Sequence, residues 1–267
     1  INRGSLNEVL SALENQTRKP DEILVMEDKL RKGQSVMRNE GIEKSKGDLI
    51  AFLDDDNVPG NNWLKIFINE IDKYGADGVS SNYSEDDPFL NEIRRRRNYP
   101  KQLVINPDGF FGLGGNCMYR KSSLEKFKNQ NRIIFNPENK ISQDVELAIG
   151  LHYMGFKLVY VINNVRHLKR LTPLEYMVYN FQRGKGIFTL YSLKNKYKEI
   201  DFGPGLLWNN FAQKYPVKKW FLMFWQRILG PFDYKSFSRL DYFVLFWIGE
   251  KAKSAGFFLS FIESKLK

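Results

Sequence analysis

Five apolar residues, Leu49-Ile50-Ala51-Phe52-Leu53, run without a break into three consecutive aspartates, Asp54-Asp55-Asp56. A short apolar run without alternation reads as a strand buried on both faces, and such strands need helices on both sides of a sheet. The neighbouring sequence supplies them. From Ser5 to Gln16 the residues Leu6, Val9, Leu10 and Leu13 fall at helical spacing, with Ser5 as N-cap and Glu8 three positions on. Glu22-Ile23-Leu24-Val25-Met26 then reads as a buried parallel strand ending at Glu27-Asp28, and Arg38 to Lys46 reads as a helix stopped by Gly47. This alternation predicts an α/β fold of βαβ units around a mostly parallel sheet, whose functional groups gather at the carboxyl ends of the strands.

Downstream, Trp63 to Tyr74 reads as an amphipathic helix and Gly78-Val79-Ser80-Ser81 as a further strand. Ser84 to Lys101, with Arg94-Arg95-Arg96-Arg97, reads as a long loop or insertion. Gly112-Leu113-Gly114-Gly115-Asn116 leads to a strand or turn at Cys117–Arg120, and a helix begins near Lys121. Asp144 to Met154 reads as a helix ending at Gly155, and Leu158-Val159-Tyr160-Val161 as the last strand. There is no internal repeat.

Three adjacent carboxylates at a strand exit repel one another unless a positive group neutralises them. On an extended backbone alternate side chains point the same way, so Asp54 and Asp56 are expected to converge on one hard cation while Asp55 faces elsewhere. Oxygen ligands favour Mg²⁺ or Mn²⁺ over zinc or copper. The other reading is a solvated acidic turn.

Phe52-Leu53-Asp54-Asp55-Asp56, preceded by Arg38-Asn39-Glu40-Gly41-Ile42 and Lys46-Gly47-Asp48, resembles the central signature of family 2 glycosyltransferases, which have the GT-A fold. Asn2-Arg3 is similar to the end of that family's first-strand motif, and Glu22 to Asp28 to its second strand. Gly114-Gly115-Asn116 with Tyr119-Arg120 resembles the acceptor-side motif, and Gln143-Asp144-Val145-Glu146-Leu147 with Gly155-Phe156 the catalytic helix. The resemblance covers roughly residues 1–170. It implies a GT-A catalytic domain over 1–170, with a nucleotide-sugar half at about 1–82 and an acceptor half at about 83–170, followed by a helical region over 171–267.

The resemblance also implies roles. Asp144 would be the general base of an inverting, hexosyl-type transfer, and Asp54 and Asp56 would carry the metal-bound diphosphate, with His167 in Asn164-Val165-Arg166-His167 as a further metal ligand. Asn2, Arg3, Glu27, Asp28, Arg38, Asp54, Asp55 and Arg183 would contact the nucleotide-sugar, a UDP-sugar by default. Gly114, Gly115, Asn116 and Gln143 would face the acceptor. Two residues depart from the family pattern. Gln143 stands where an acid usually precedes the base, which predicts a near-ordinary carboxylate pKa for Asp144. Glu27 stands where aspartate is usual, leaving open whether it or Asp28 meets base or ribose. Because the chain opens at Ile1-Asn2-Arg3 without Met, upstream sequence carrying a first apolar strand is expected.

Arg94 to Arg97 reads either as a clamp for an acceptor phosphate or as a solvated loop balanced by Glu85-Asp86-Asp87. The glycines Gly112, Gly114 and Gly115 either bring backbone close to a sugar or make a simple tight turn.

The net charge of +10 is unevenly placed. Residues 1–162 carry 23 basic and 24 acidic side chains, whereas residues 163–267 carry 18 and 7, together with 24 of the 39 aromatic rings. Lys218–Arg227, Tyr242–Ile248 and Phe257–Ile262 are apolar and aromatic but interrupted by lysine and arginine, a pattern suited to a helix lying in a membrane interface. No run reaches the ~20 residues of a membrane span. The expectation is therefore a peripheral protein on the cytosolic face of a membrane, acting on a saccharide or lipid-linked saccharide in polysaccharide or glycolipid synthesis. The same rings equally suit packing on the catalytic domain or against a second subunit of a homo-oligomer. Nucleic acid is a poor partner because no binding motif accompanies the charge. The single cysteine, Cys117, excludes an intrachain disulfide and suits a reducing, cytoplasmic setting. Two other function classes stay open: an inert GT-A-like scaffold at a membrane, and a nucleotidyltransferase.

Overall fold

The computed structural model describes residues 4–95, 102–105, 114–193 and 238–266. It divides into two compact units, residues 1–169 and 170–267.

The first unit contains α1 (Gly4–Glu14), α2 (Gln34–Lys44), β1 (Leu49–Leu53), β2 (Asn57–Pro59), α3 (Trp63–Tyr74), β3 (Gly78–Glu85) and α4 (Pro88–Arg95). These are followed by β4 (Val104–Ile105), β5 (Asn116–Arg120), α5 (Lys121–Asn131), α6 (Gln143–Tyr153) and β6 (Leu158–His167). The strands form one sheet in the order β1-β5-β3-β6-β2, with β4 also on β6. It is a mixed sheet rather than a mostly parallel one. β3 and β6 pair in parallel, but β5 inserts antiparallel between β1 and β3, and β2 and β4 run antiparallel to β6. The shared direction of β1, β3 and β6 is what the helix–strand alternation encodes, and their carboxyl ends meet at one rim.

Alternating side chains along the strands feed two cores. Ile50, Cys117 and Tyr119 face α2, α5 and α6, where Ile42, Leu124, Phe127, Leu147 and Leu151 are buried. Val79, Met118, Val159 and Val161 face α3, which buries Trp63, Leu64, Phe67 and Ile71. Gly75, at φ +56°, ends α3 in the left-handed conformation that glycine adopts without steric cost.

Several boundaries differ from the sequence reading. Helix α1 begins at Gly4, so Ser5 lies in its first turn and is not the cap. Glu22–Met26 belongs to no strand, because no described strand lies alongside to complete a ladder, and Ile23, Leu24 and Val25 are 41, 42 and 55% exposed. The expected loop from Ser84 is instead the end of β3 followed by α4. Strands β2 and β4 are additions, and β6 is more than twice as long as expected.

In the second unit, α7 (Pro173–Leu193) packs along α8 (Leu240–Leu266). The contact is close because glycines line it. A Cβ on Gly184 would overlap the Lys253 carbonyl, and one on Gly256 the Phe181 carbonyl. Phe188 closes one end against Phe257 and Phe261. Among the described residues, no helix is long and apolar enough to cross a membrane. Of the expected interfacial segments, Lys218–Arg227 lies outside the described residues.

Candidate active site

The three aspartates leave β1 and turn at once. Asn57 N–H donates to the Asp54 carbonyl at 3.1 Å, closing a tight turn from Asp54 to Asn57. The backbone there is not extended, so the premise that would converge Asp54 and Asp56 does not hold, and the two carboxylates go to different partners. Asp54 Oδ1 accepts from Arg38 Nη2 at 3.2 Å and from Gln34 Nε2 at 3.3 Å. Asp56 Oδ1 lies 3.5 Å from His167 Nε2. Asp55 is half-buried between them in the turn.

Arg38 organises one side of the site. It is 9% exposed, rests over the Phe135 ring at 5.4 Å, and is raised above its usual pKa: burial opposes its charge, but Asp54 and then Asp144 more than offset this. Gln34 and Arg38 reach Asp54 together because positions four apart share a helix face. The wall beside them must be glycine. A Cβ on Gly114 would stand 2.7 Å from Arg38 Nη1, and one on Gly115 would overlap the Asp54 carboxylate.

Asp144 sits in the first turn of α6, where free backbone N–H groups favour negative charge. Gly114 N–H donates to its Oδ2 at 2.9 Å. Its pKa is nevertheless raised, because burial penalises the carboxylate more than Arg38 and the backbone donors favour it. The near-ordinary pKa expected from Gln143 is thus corrected: loss of a like-charged neighbour leaves desolvation in control.

Gln143 is buried, and its Nε2 donates to Gln34 Oε1 at 2.8 Å, which joins α6 to the Asp54 cluster. Asn116 is fully buried, accepting from Trp63 Nε1 at 2.8 Å and donating to the Asn82 carbonyl at 2.7 Å. It fastens α3 to the sheet from a position closed to solvent, a packing role that the acceptor-side reading did not include. Asp28 accepts from the backbone N–H groups of Lys32 and Gly33, shaping the entry to α2, while Glu27 is exposed and pairs with Lys29 at 3.2 Å. Arg183 lies on α7 in the second unit, over the Tyr179 ring. Asn2, Arg3, Gly112, Arg96 and Arg97 lie outside the described residues.

The other side of the site is a chain of charges that sequence reading only half anticipated. His167 Nδ1 donates to Glu85 Oε2 at 2.6 Å, and Arg94 Nε donates to Glu85 Oε1 at 2.6 Å. Arg94 also lies over the Tyr83 ring at 4.8 Å. The pairing of Arg94 with Glu85 fits the balanced-charge reading, but the pair is buried, not solvated, since Glu85 is 4% exposed. Burial pushes the His167 pKa down, yet the Asp56 and Glu85 carboxylates overcome this and raise it to about 9. Among the described residues, no group of three or more His, Cys, Asp or Glu is gathered to hold a metal, so Asp54, Asp56 and His167 are present as one facing pair and one separately held carboxylate.

Residues 3–128 match the model of Glycosyl transferase family 2. Just under half of the chain thus resembles a family 2 glycosyltransferase domain. The match takes in the Asp54–Asn57 turn and Gly114–Asn116, and stops short of Asp144 and His167. No curated protein matches the chain in sequence. Among solved structures, S. aureus TarS aligns over 95% of this chain and 52% of its own, at 11% identity and a TM-score of 0.51. TarS 1–349 alone and with UDP-GlcNAc align over 99% and 98% of this chain and 88% of theirs, at 12% and 13% identity and TM-scores of 0.47. The chain thus has an α/β fold of the GT-A type, with a sheet flanked by helices and a helical C-terminal region. Sequence reading weighed Arg94 and Glu85 only as a clamp or a charge balance, without the link to His167, and it missed Gln34 beside Asp54. For Gln34 the signal was present, four positions before Arg38.

Proposed function

We propose that the protein is an inverting glycosyltransferase that moves a hexosyl group from a UDP-sugar to a hydroxyl of a saccharide acceptor, with Asp144 as the base. What supports this reading most is the single buried guanidinium of Arg38 standing between Asp54 on the diphosphate side and Asp144 on the acceptor side. The acceptor oxygen attacks the anomeric carbon from the face opposite the diphosphate. The new C–O bond forms as the bond to the diphosphate breaks, and the hydroxyl proton passes to Asp144. A carboxylate with a raised pKa is the stronger base for that transfer.

Asp56 and His167 fit a divalent ion, since a carboxylate oxygen and an imidazole nitrogen already face each other there, a mixed donor pair that suits Mn²⁺ better than Mg²⁺, which prefers oxygen ligands throughout. Such an ion, when bound, supplies positive charge to the departing diphosphate. Arg38 adds a fixed positive charge on the Asp54 side.

The acceptor is proposed to be membrane-presented, with the protein peripheral on the cytosolic face. What favours this is the line of exposed Leu240, Val244, Trp247, Leu259 and Ile262 on α8, with Lys251 over the Trp247 ring.

The deciding experiment is calorimetric binding of UDP, GDP, dTDP and CDP with Mn²⁺ and with chelator, followed by transfer assays starting from UDP-GlcNAc. Metal-dependent binding of UDP, and loss of transfer with retained binding in Asp144→Asn, are expected. No nucleotide binding by folded protein would overturn the reading.

A further inference from the structure

His167 and Asp56 meet because their strands are neighbours: β2 pairs with β6 so that Asn57 stands opposite His167, and Leu168 N–H donates to the Asp56 carbonyl at 2.8 Å. That register places the ring but does not decide which nitrogen faces Asp56. An imidazole can turn about its last side-chain bond, and the hydrogen bond made by one nitrogen selects the role of the other.

Glu85 makes that selection. It ends β3 directly opposite His167 in the parallel β3–β6 pair. Its Oε2 accepts a hydrogen bond from His167 Nδ1 at 2.6 Å, and Nε2 faces Asp56 at 3.5 Å. The carboxylate is itself fixed, because Arg94 holds its Oε1 and lies over Tyr83, whose ring is 5.5 Å from that of His167. Both Glu85 oxygens are therefore engaged away from Asp56.

We propose that Glu85 is a positioning residue: it locks the tautomer and rotation of His167, so that Nε2 and the Asp56 carboxylate form one half of a divalent-cation site. This rests on the metal reading given above and goes beyond it by assigning an indirect role to a residue outside the aspartate motif. Arg94 and Tyr83 form the wall that keeps Glu85 in place.

The test is Mn²⁺ affinity of the full chain, measured by calorimetry without donor. It compares wild type, Glu85→Gln, Glu85→Ala, His167→Ala and the double Glu85→Ala/His167→Ala variant. Removing a group that orients a metal-bound histidine weakens affinity about 10–100-fold, so Glu85→Ala is expected in that range. Glu85→Gln, whose amide oxygen can still accept from Nδ1, is expected between Glu85→Ala and wild type. In the His167→Ala background, Glu85→Ala should add less than about twofold, because a residue acting through His167 has nothing left to position. Thermal melts of the metal-free proteins identify any variant that fails to fold. If Glu85→Ala does, Glu85→Gln decides alone.

Unchanged affinity in the folded Glu85 variants, with affinity lost in His167→Ala, would overturn the proposal and leave the metal reading intact. Equal losses from Glu85→Ala in both backgrounds would replace positioning by bulk charge. No Mn²⁺ binding by wild type would remove both.

Discussion

Arg38 answers to two carboxylates at once, and each loses something different if it goes. Asp54 accepts its hydrogen bond directly, while Asp144 is lowered only by its field. Arg38→Met keeps the bulk over Phe135 but leaves both acids without their cation. The expected cost is about 2 kcal/mol of stability, read from chemical denaturation, because Asp54 is partly solvated and a fully buried pair would cost more. The acid limb of kcat/KM should also move to higher pH, since Arg38 lowers the Asp144 pKa. In the wild type that limb is expected above the ordinary aspartate value of about 3.9. The same shift acts on stability. A carboxyl whose folded pKa is raised favours the fold below its unfolded value and loses that contribution as pH climbs through the raised one. Asp144→Asn should therefore melt higher than wild type at neutral pH, with the gap closing in acid. At this scale the sequence was informative about types and poor about partners. The Asp54-Asp55-Asp56 run was legible as a site, but the turn that separates Asp54 from Asp56 was not, because one hydrogen bond to Asn57 decides it. Burial of Asp144 comes from residues distant in sequence, and no local pattern announces it.

Helices and strands were recoverable wherever apolar spacing and a stop residue coincided, as in α3, which Gly75 ends. They failed where pairing decides. Glu22–Met26 has the composition of a strand but pairs with no strand among the described residues, whereas Asn57–Pro59 has three residues and becomes β2 because β6 extends alongside it. In the second unit the glycines on α7 and α8 are the deciding positions. Gly184→Leu or Gly256→Leu must push apart helices whose backbones already touch, at a cost of about 1–3 kcal/mol. A lower unfolding midpoint for the α7–α8 unit, followed by Trp247 fluorescence, is the expected readout. Gly249→Ala offers a milder comparison, since its new methyl meets the Tyr176 ring and not backbone.

Over the whole molecule the division of charge has the clearest consequence. Residues 163–267 carry 18 basic and 7 acidic side chains, so their attraction to anionic lipid is expected to be strong at low salt and to fade as salt is added. Flotation with liposomes should show capture by anionic vesicles at low ionic strength and release near 1 M salt, with apolar contact from α8 setting what remains bound. A protein that stays in solution with every vesicle would exclude the membrane-presented acceptor. Strand β6 has a different kind of consequence. It hydrogen-bonds with β2, β3 and β4 along its ten residues, so no single partner can leave and free it. Its amides should be among the last in the chain to exchange with deuterated solvent, reached only through global opening. Since His167 is its final residue, one wall of the site is anchored in that slowest-opening part of the protein.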